Sequence, residues 1–124
     1  MMEEKSITLT YEVTPDKTAE VMGSGDMPVL ATPAMVAMME NAAMTLAKPL
    51  CADGDTTVGS LINTSHLRPS AVGATISVTA TLNAQEGRKL TFSIVAKDGD
   101  NVIGEAEHVR FMVTRDRFLS KLGK

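Results

Sequence analysis

Residues 31–46, ATPAMVAMMENAAMTL, decide how the rest of this chain must fold. Thr32 followed by Pro33 is typical of a helix start, because a threonine hydroxyl can cap a free amide and proline at the first helical position needs no donor. From Ala34 onward nearly every residue is apolar, so the helix lacks a polar face for solvent. At about 24 Å it is too short to cross a bilayer. The pattern predicts a core helix that other elements surround.

Glu40 is the one charged residue in this apolar stretch. Burying an ionised carboxylate without a partner is costly, so the group pairs with a cation, takes up a proton or lies where a ligand arrives. A carboxylate at the rim of the helix, partly in water, is the alternative. Glu40 is therefore a candidate functional residue, with a structural ion pair as the competing interpretation.

The composition narrows the class of protein. The chain has 124 residues, 44% of them hydrophobic, and a net charge of -3. This length suits one domain over residues 1–124. The acidic balance argues against nucleic acid as a partner, because no basic stripe is present. A single cysteine, Cys51, excludes an internal disulfide and fits a reducing compartment. Since the N-terminus, MMEEKSITLTYEV, carries no secretory signal, we expect a cytoplasmic protein that does not act on membranes.

Five strands accompany the helix, as alternating apolar and polar residues indicate. We place them at residues 7–13, 56–67, 75–82, 90–96 and 102–113. Tight turns are predicted at residues 85–88 and 98–101, and a short charged helix at residues 115–122. The glycine-rich segment 22–28 is either a mobile lid or a plain connection.

Two local irregularities are expected within these strands. Gly59, inside the second strand, suggests a bulge or the close approach of another backbone or a ligand. In the last strand the apolar residues move from even to odd positions, which predicts a bulge near Glu107 or His108.

The order of the elements is one strand, the apolar helix and four consecutive strands. An antiparallel sheet wrapped around one long central helix accommodates both the apolar helix and the one-sided strands. The sequence therefore predicts an α+β architecture, the hotdog fold. Because such a sheet has an exposed edge, edge-to-edge pairing of two sheets predicts a homodimer.

Thr32, Glu40 and His66 together form a candidate site. Thr32 and Glu40 lie about 80° apart around the helix axis, so both can border one pocket. His66, at the end of the strand after the helix, is placed to reach the same pocket. Taken singly, each has a structural alternative: a cap for Thr32, a rim acid for Glu40 and a polar strand end for His66.

Several segments of the chain resemble one known family. Residues 30–42, LATPAMVAMMENA, and the run from Gly59 through Thr64-Ser65-His66 are similar to the fluoroacetyl-CoA thioesterase-like branch of the hotdog superfamily. The similarity continues in residues 13–18, 86–90, 103–104 and 108–110. It covers most of the chain and is specific in its spacing.

The resemblance implies an acyl-CoA thioesterase whose catalytic threonine, glutamate and histidine match Thr32, Glu40 and His66. It also implies an active site at a dimer interface, with a glycine matching Gly59 beside the reacting carbonyl. These residue types suit thioester hydrolysis. Glu40 can attack the carbonyl or deprotonate water, and both roles stay open. His66 is the candidate proton carrier, and the Thr32 hydroxyl can hold Glu40 or water in line.

The acyl group is left open by the sequence. The specialised enzyme of this family uses phenylalanines before the helix as a lid, whereas the three phenylalanines here are Phe92, Phe111 and Phe118. We therefore expect a small or medium acyl group, with fluoroacetyl as one possibility among several.

Coenzyme A is expected as part of the substrate, with no separate cofactor and no metal. Its phosphates need cations, and we name Arg68 and Arg110 with Gly59 as substrate-binding candidates. Further candidates are Arg88, Lys89 and Lys97. Solvated strand edges and turns are the alternative for all of these cations.

Two other functions compete with hydrolysis. A non-catalytic module that holds an acyl-CoA or another apolar ligand in a methionine-lined groove predicts saturable binding without thiol release. A hotdog dehydratase or hydratase, which we favour less, consumes an enoyl substrate and frees no coenzyme A. The fold alone does not choose among them, and the spacing of the three polar residues favours hydrolysis.

Overall fold

The computed structural model describes residues 5–123. Residues 1–4, which belong to the N-terminal segment used to predict the location of the protein, lie outside the described residues, as does residue 124. Five strands run at Lys5–Glu12 (β1), Asp55–His66 (β2), Thr75–Glu86 (β3), Lys89–Asp98 (β4) and Asn101–Thr114 (β5). The helices are Ala19–Met22 (α1), Thr32–Ala47 (α2) and Arg115–Ser120 (α3), with 3-10 turns at Pro15–Lys17 and Lys48–Leu50.

The strands form one antiparallel sheet in the order β1-β3-β4-β5-β2, with α2 packed on one face. The inward face of β4 shows the predicted alternation, since Leu90, Phe92, Ile94 and Ala96 are all at most 1% exposed. The hotdog prediction of a sheet wrapped around a central helix is confirmed. Both hairpin turns are also where the sequence placed them, at Gly87 and Gly99, which adopt the left-handed backbone that such turns require.

Helix α2 is buried on one side only. Its buried residues are Ala34, Met35, Met38, Met39, Ala42, Ala43 and Ala47. Pro33, Ala37, Asn41 and Met44 form an exposed stripe on the opposite side. The expectation of a helix surrounded on every side is therefore wrong for the single chain. No helix within residues 5–123 has both the length and the hydropathy needed to cross a bilayer.

Thr32 does not cap its own helix. The N-cap position is Ala31, and no side chain caps the first turn. The threonine hydroxyl instead contacts a histidine of β2, as described below. Helix α1 was not predicted from the sequence, because its four residues are too short for a periodic pattern; Thr18 caps it by accepting a hydrogen bond from the amide of Val21.

The bulge predicted near Glu107 or His108 is absent, because β5 keeps a regular register there with both neighbouring strands. Buried positions along this part of β5 stay even: Gly104, Ala106, His108, Arg110 and Met112. Two of these inward residues, His108 and Arg110, are polar. The apolar residues of the sequence therefore move from even to odd positions although the backbone stays regular. The odd residues Val109, Phe111 and Val113 lie on the outer face.

A bulge does occur in β2, between Gly59 and Leu61, where the register with β5 shifts. Residues 59 and 66 have opposite parity, so in a regular strand their side chains would point to opposite faces. The extra residue puts Gly59 and His66 on the same face, opposite Arg110 and Gly104 of β5. The bulge predicted at Gly59 is confirmed, and it puts both Gly59 and His66 on the face of the sheet that meets α2.

Candidate active site

The first candidate group lies where α2 begins and β2 ends. The hydroxyl oxygen of Thr32 and Nδ1 of His66 are 2.7 Å apart, a short hydrogen bond between residues 34 positions apart in sequence. They border an open groove of about 270 Å³ whose other walls come from the segment around α1 and from residues 67–69. The predicted proximity of Thr32 and His66 is therefore observed.

The second ring nitrogen of His66 points to a chemical use. Nε2 is buried and has no hydrogen-bond partner among the described residues. An unpaired buried polar atom is costly, so it is typical of a group whose partner arrives with a ligand. Burial lowers the pKa of His66, so the imidazole is neutral near pH 7 and able to take up or pass on a proton.

Glu40 stands further along α2, beside the start of the bulge in β2. Its Oε2 lies 3.7 Å from Nη1 of Arg110, and the side chains of Glu40 and Arg110 are 43% and 7% exposed. The carboxylate is thus half in solvent and paired with a buried cation, rather than isolated in an apolar core as the sequence suggested. The carboxylate therefore has a cation on one side and is open to a reactant on the other.

Arg110 is fixed from behind by a set of buried hydrogen bonds. Its Nε donates to the hydroxyl of Thr57 at 2.9 Å and its Nη2 to the carbonyl of Thr57 at 3.1 Å. Nη1 lies 3.2 Å from Nε2 of His108. Burial lowers the pKa of Arg110, while Glu40 raises it in return. The guanidinium is therefore a pre-positioned counter-ion for Glu40.

Gly59 lies against the same group. A Cβ atom placed on it would be 2.8 Å from Oε2 of Glu40, 3.3 Å from the His108 ring and 3.4 Å from Nη1 of Arg110. A side chain at this position would displace the carboxylate. The group that approaches Gly59 is the side chain of Glu40, not the backbone or ligand that the sequence suggested as the alternative to a bulge.

The Thr32–His66 pair and the Glu40–Arg110 pair are separate within one chain. Thr32 and Glu40 are eight residues apart, which is about 12 Å along a helix axis. A reacting carbonyl has to lie about 3 Å from the groups that act on it. The Thr32 hydroxyl accordingly contacts His66 and not Glu40, so the alternative in which it holds Glu40 in line is not realised in a protomer.

The predicted substrate-binding arginines lie in different surroundings. Arg68 is exposed and borders the groove next to His66. Arg110 is 6% exposed and lies behind Glu40, with which it forms the ion pair. Thr57, which holds Arg110, was missed as a site residue, and, beyond the predicted bulge, His108 was named only within the segment 108–110 that resembles the family. The available signal was the alternation along each strand. His108 lies two residues from Ala106 and from Arg110 on β5, and Thr57 lies two residues from Gly59 on β2, so each shares a face with those neighbours.

Two other chemistries have no supporting geometry in the described residues. Within residues 5–123 no three histidine, cysteine, aspartate or glutamate side chains lie close enough to bind one metal ion. Cys51 is half-buried, its thiol lies 3.7 Å from the carbonyl of Ala47, and burial raises the pKa of that thiol. It is therefore not an activated nucleophile.

Comparison with known proteins identifies the family. A family model described as fluoroacetyl-CoA-specific thioesterase matches residues 13–116. The fluoroacetyl-CoA thioesterase of Streptantibioticus cattleyicolor is 34% identical over 94 residues, which cover 76% of this chain and 68% of that protein. The chain belongs to the fluoroacetyl-CoA-specific thioesterase family. The prediction of a hotdog thioesterase, an enzyme that hydrolyses an acyl-CoA thioester, is thereby confirmed.

Solved structures agree with membership of the fluoroacetyl-CoA-specific thioesterase family. The fluoroacetyl-CoA thioesterase FlK matches with a TM-score of 0.91 and 30% identity, over 98% of this chain and 95% of that one. A mutant of FlK in complex with fluoroacetate and CoA matches with a TM-score of 0.86 and 30% identity, over 95% and 99% of the two chains. A Thermus thermophilus thioesterase superfamily member, 24% identical with a TM-score of 0.89 over 98% and 90%, shares the fold.

Proposed function

We propose that this protein hydrolyses a small or medium acyl-CoA thioester with Thr32, Glu40 and His66, in a site completed by a second copy of the chain. The observation that carries the proposal is the carboxylate of Glu40, half exposed at the edge strand β2 and held 3.7 Å from the buried Arg110. A carboxylate positioned by a buried cation and open on its other side is suited to attack a thioester carbonyl or to activate water.

Glu40 begins the reaction in either of two ways. If it attacks the carbonyl, an anhydride forms, the carbon–sulfur bond breaks, and water then hydrolyses the anhydride. If it deprotonates water, hydroxide adds to the carbonyl and the same bond breaks as the tetrahedral intermediate collapses. In the first route the sulfur leaves as a thiolate, and Nε2 of the neutral His66 takes a proton from the water that hydrolyses the anhydride and passes it to the thiolate. In the second route the proton that Glu40 takes from water passes through His66 to the departing sulfur. The Thr32 hydroxyl holds the imidazole through Nδ1 in both routes.

A homodimer reconciles this chemistry with the separation of the two groups. Strand β2 lies at the edge of the sheet and contains no proline, lysine or arginine, the residues that commonly protect an edge from pairing. Leu61 and Leu67, on and just after this strand, are 52% and 56% exposed. These features support pairing of β2 with β2 of a second protomer.

The two-fold symmetry of such a pair brings the two groups together. In an antiparallel pairing about an axis at Asn63, Ile62 of one protomer lies opposite Thr64 of the other and, with the bulge counted as one position, Gly59 lies opposite His66. Glu40 beside Gly59 then faces the Thr32–His66 pair across the interface. Each dimer would contain two such composite sites, and we propose this as the arrangement of the active site.

Coenzyme A is the leaving group in this proposal, and no separate cofactor takes part. Arg68, exposed beside the His66 groove, is the candidate for a coenzyme A phosphate, whereas Arg110 serves Glu40. We propose a cytoplasmic location, where acyl-CoA is made and used. Fluoroacetyl-CoA, named for the relatives, is one candidate substrate. The described segment before α2 offers exposed Val21, Met22 and Met27 to an acyl group, in place of phenylalanines.

The test is a panel of acyl-CoA thioesters, including acetyl-, fluoroacetyl-, butyryl- and hexanoyl-CoA, scored for free thiol. We expect hydrolysis of at least one member, and a loss of about 100-fold or more in Glu40→Ala and His66→Ala, the usual size of a general acid–base contribution. Glu105→Ala, an exposed acid on the outer face of β5, is the matched control and should retain activity.

The competing functions give different outcomes in the same panel. Saturable binding of acyl-CoA without thiol release would replace the proposal by the non-catalytic module. Consumption of an enoyl-CoA without thiol release would replace it by a dehydratase or hydratase. Near-normal hydrolysis by Glu40→Ala would end the assignment of the site.

A further inference from the structure

His108 is a buried histidine that the proposed reaction does not use. It lies on the inward face of β5, only 1% exposed, with its ring 6.0 Å from that of Phe92. A buried ring nitrogen without a hydrogen bond is costly, so a histidine this deep in a protein needs partners for both of its nitrogens. The partners of His108 therefore decide what it does.

Both partners of His108 are fixed in their hydrogen-bonding roles. Nδ1 lies 2.7 Å from the carbonyl oxygen of Leu61, which only accepts, so Nδ1 carries the proton. Nε2 lies 3.2 Å from Nη1 of Arg110, which only donates, so Nε2 is the acceptor. The geometry therefore selects one form of the ring, the neutral Nδ1–H tautomer. The bond to Leu61 also ties the ring to the bulge of β2.

We propose that His108 is a positioning residue for Glu40: by accepting a hydrogen bond from Nη1 of Arg110 it aims that nitrogen at the carboxylate. Nη1 is the arginine atom nearest Glu40, at 3.7 Å from Oε2. The other two nitrogens of Arg110, Nε and Nη2, donate to Thr57, so each guanidinium nitrogen has a partner. The chain from the bulge to His108, Arg110 and Glu40 links the fold of β2 to the placement of the carboxylate.

Protonation of His108 would break this chain. A proton on Nε2 would face the donor Nη1 of Arg110, and two like charges would meet in a buried space. The charged groups around the ring are Arg110, on its own strand, and Glu40, on α2. Its contacts from β2 and β4, the Leu61 carbonyl and Phe92, carry no charge. Burial lowers the pKa of His108 below its ordinary value, which keeps the ring neutral near pH 7.

The tautomer is measured directly on the full-length enzyme by NMR of the ring nitrogens. The chain has two histidines, so the ring signals of both are assigned by comparing the wild type with one variant, His108→Gln. We expect one ring to stay the neutral Nδ1–H tautomer well below pH 6.5, the ordinary histidine pKa. A His108 ring that titrates near its ordinary pKa, or that carries its proton on Nε2, would overturn the proposal.

Kinetics distinguish positioning from a purely structural role. His108→Phe keeps the aromatic packing but removes the acceptor, and we expect kcat to fall about 10- to 100-fold with KM little changed, as for a lost hydrogen bond to a charged group. His108→Gln can still accept from Arg110 and should retain more of kcat. Met112→Leu, a buried change on the same face of β5, is the control for packing.

Each kinetic outcome decides the question. Unchanged kcat in His108→Phe, or a loss no larger than in Met112→Leu, would overturn the proposal. If His108→Phe does not fold, His108→Gln decides: a kcat between those of wild type and Glu40→Ala supports positioning, and one equal to Glu40→Ala overturns it. The proposal rests on the hydrolytic role of Glu40. The NMR measurement of the His108 tautomer does not depend on hydrolysis, so failure of the proposed function and failure of the His108 proposal are distinguished.

Discussion

At the scale of single residues, the site depends on polar groups that are paired inside the protein and open toward a ligand. Glu40 has a buried arginine behind it and solvent in front of it. His66 has a threonine on one nitrogen and no partner among the described residues on the other. Each pairing fixes an orientation while leaving one atom available, which is what acid–base chemistry needs.

The two histidines make the stability of the fold depend on pH. Burial lowers the pKa of both His66 and His108 below the reference of about 6.5, so the unfolded chain binds more protons there than the folded chain. The free energy of unfolding therefore falls as pH drops from about 6.5 toward the lower folded pKa values, and these residues add no slope above that window.

Thermal unfolding across a pH series measures this effect. We expect a lower melting temperature at about pH 5.5 than at about pH 7.5, and a smaller difference in His108→Gln, which cannot take up the proton. Equal pH dependence in the variant and the wild type would show that His108 does not contribute.

Single residues also show where sequence reasoning reaches its limit. Thr32, Glu40, Gly59 and His66 were found because polar groups and glycine stand out against an apolar helix and a strand. The partner of the Thr32 hydroxyl was not predictable, because the hydrogen bond spans 34 positions in sequence. The ion pair of Glu40 was likewise hidden, since nothing local marks a residue 70 positions away as its partner.

At the scale of the elements, strand β2 and helix α2 determine the site together. The bulge at Gly59 puts Gly59 and His66 on the same face of β2, the face that meets α2. Strands with apolar inward residues were predictable from alternation alone, as β4 shows. Strand β5 was misread near His108 because the residues that serve the site are polar and interrupt that alternation.

Two glycines at the contact between the helix and the sheet give a matched comparison. In Gly59→Ala the new methyl would meet the flexible end of Glu40 at 2.8 Å, so we expect the carboxylate to move, kcat to fall about tenfold or more, and stability to change little. In Gly104→Ala it would meet the Met35 sulfur at 2.6 Å and the Ser65 carbonyl at 3.0 Å, so we expect a loss of about 1–3 kcal/mol in stability.

Thermal unfolding and steady-state kinetics on both variants check this pair. A Gly59→Ala enzyme with wild-type kcat would show that the position of the Glu40 carboxylate is not critical. A fully stable Gly104→Ala protein would show that α2 is less tightly packed on β5 than the distances indicate.

At the scale of the whole molecule, the protomer contains all three proposed catalytic residues but does not bring them together. About 12 Å of helix separates Thr32 from Glu40, and β2 offers an unprotected edge between them. The sequence predicts a homodimer from the edge of the sheet and leaves open which subunit supplies each group, because helical spacing alone allows Thr32 and Glu40 to share a pocket. The axial distance along α2 excludes this within one protomer.

Mixing two inactive variants tests the composite site most directly. When Glu40→Gln and His66→Ala proteins are mixed and allowed to exchange subunits, half of the dimers are mixed and each holds one intact site. We expect thioester hydrolysis to recover to about a quarter of the wild-type rate. A mixture of Thr32→Ala and His66→Ala, which lie in the same group, should recover nothing. Failure of the first mixture to recover after confirmed exchange would contradict an active site shared between two protomers.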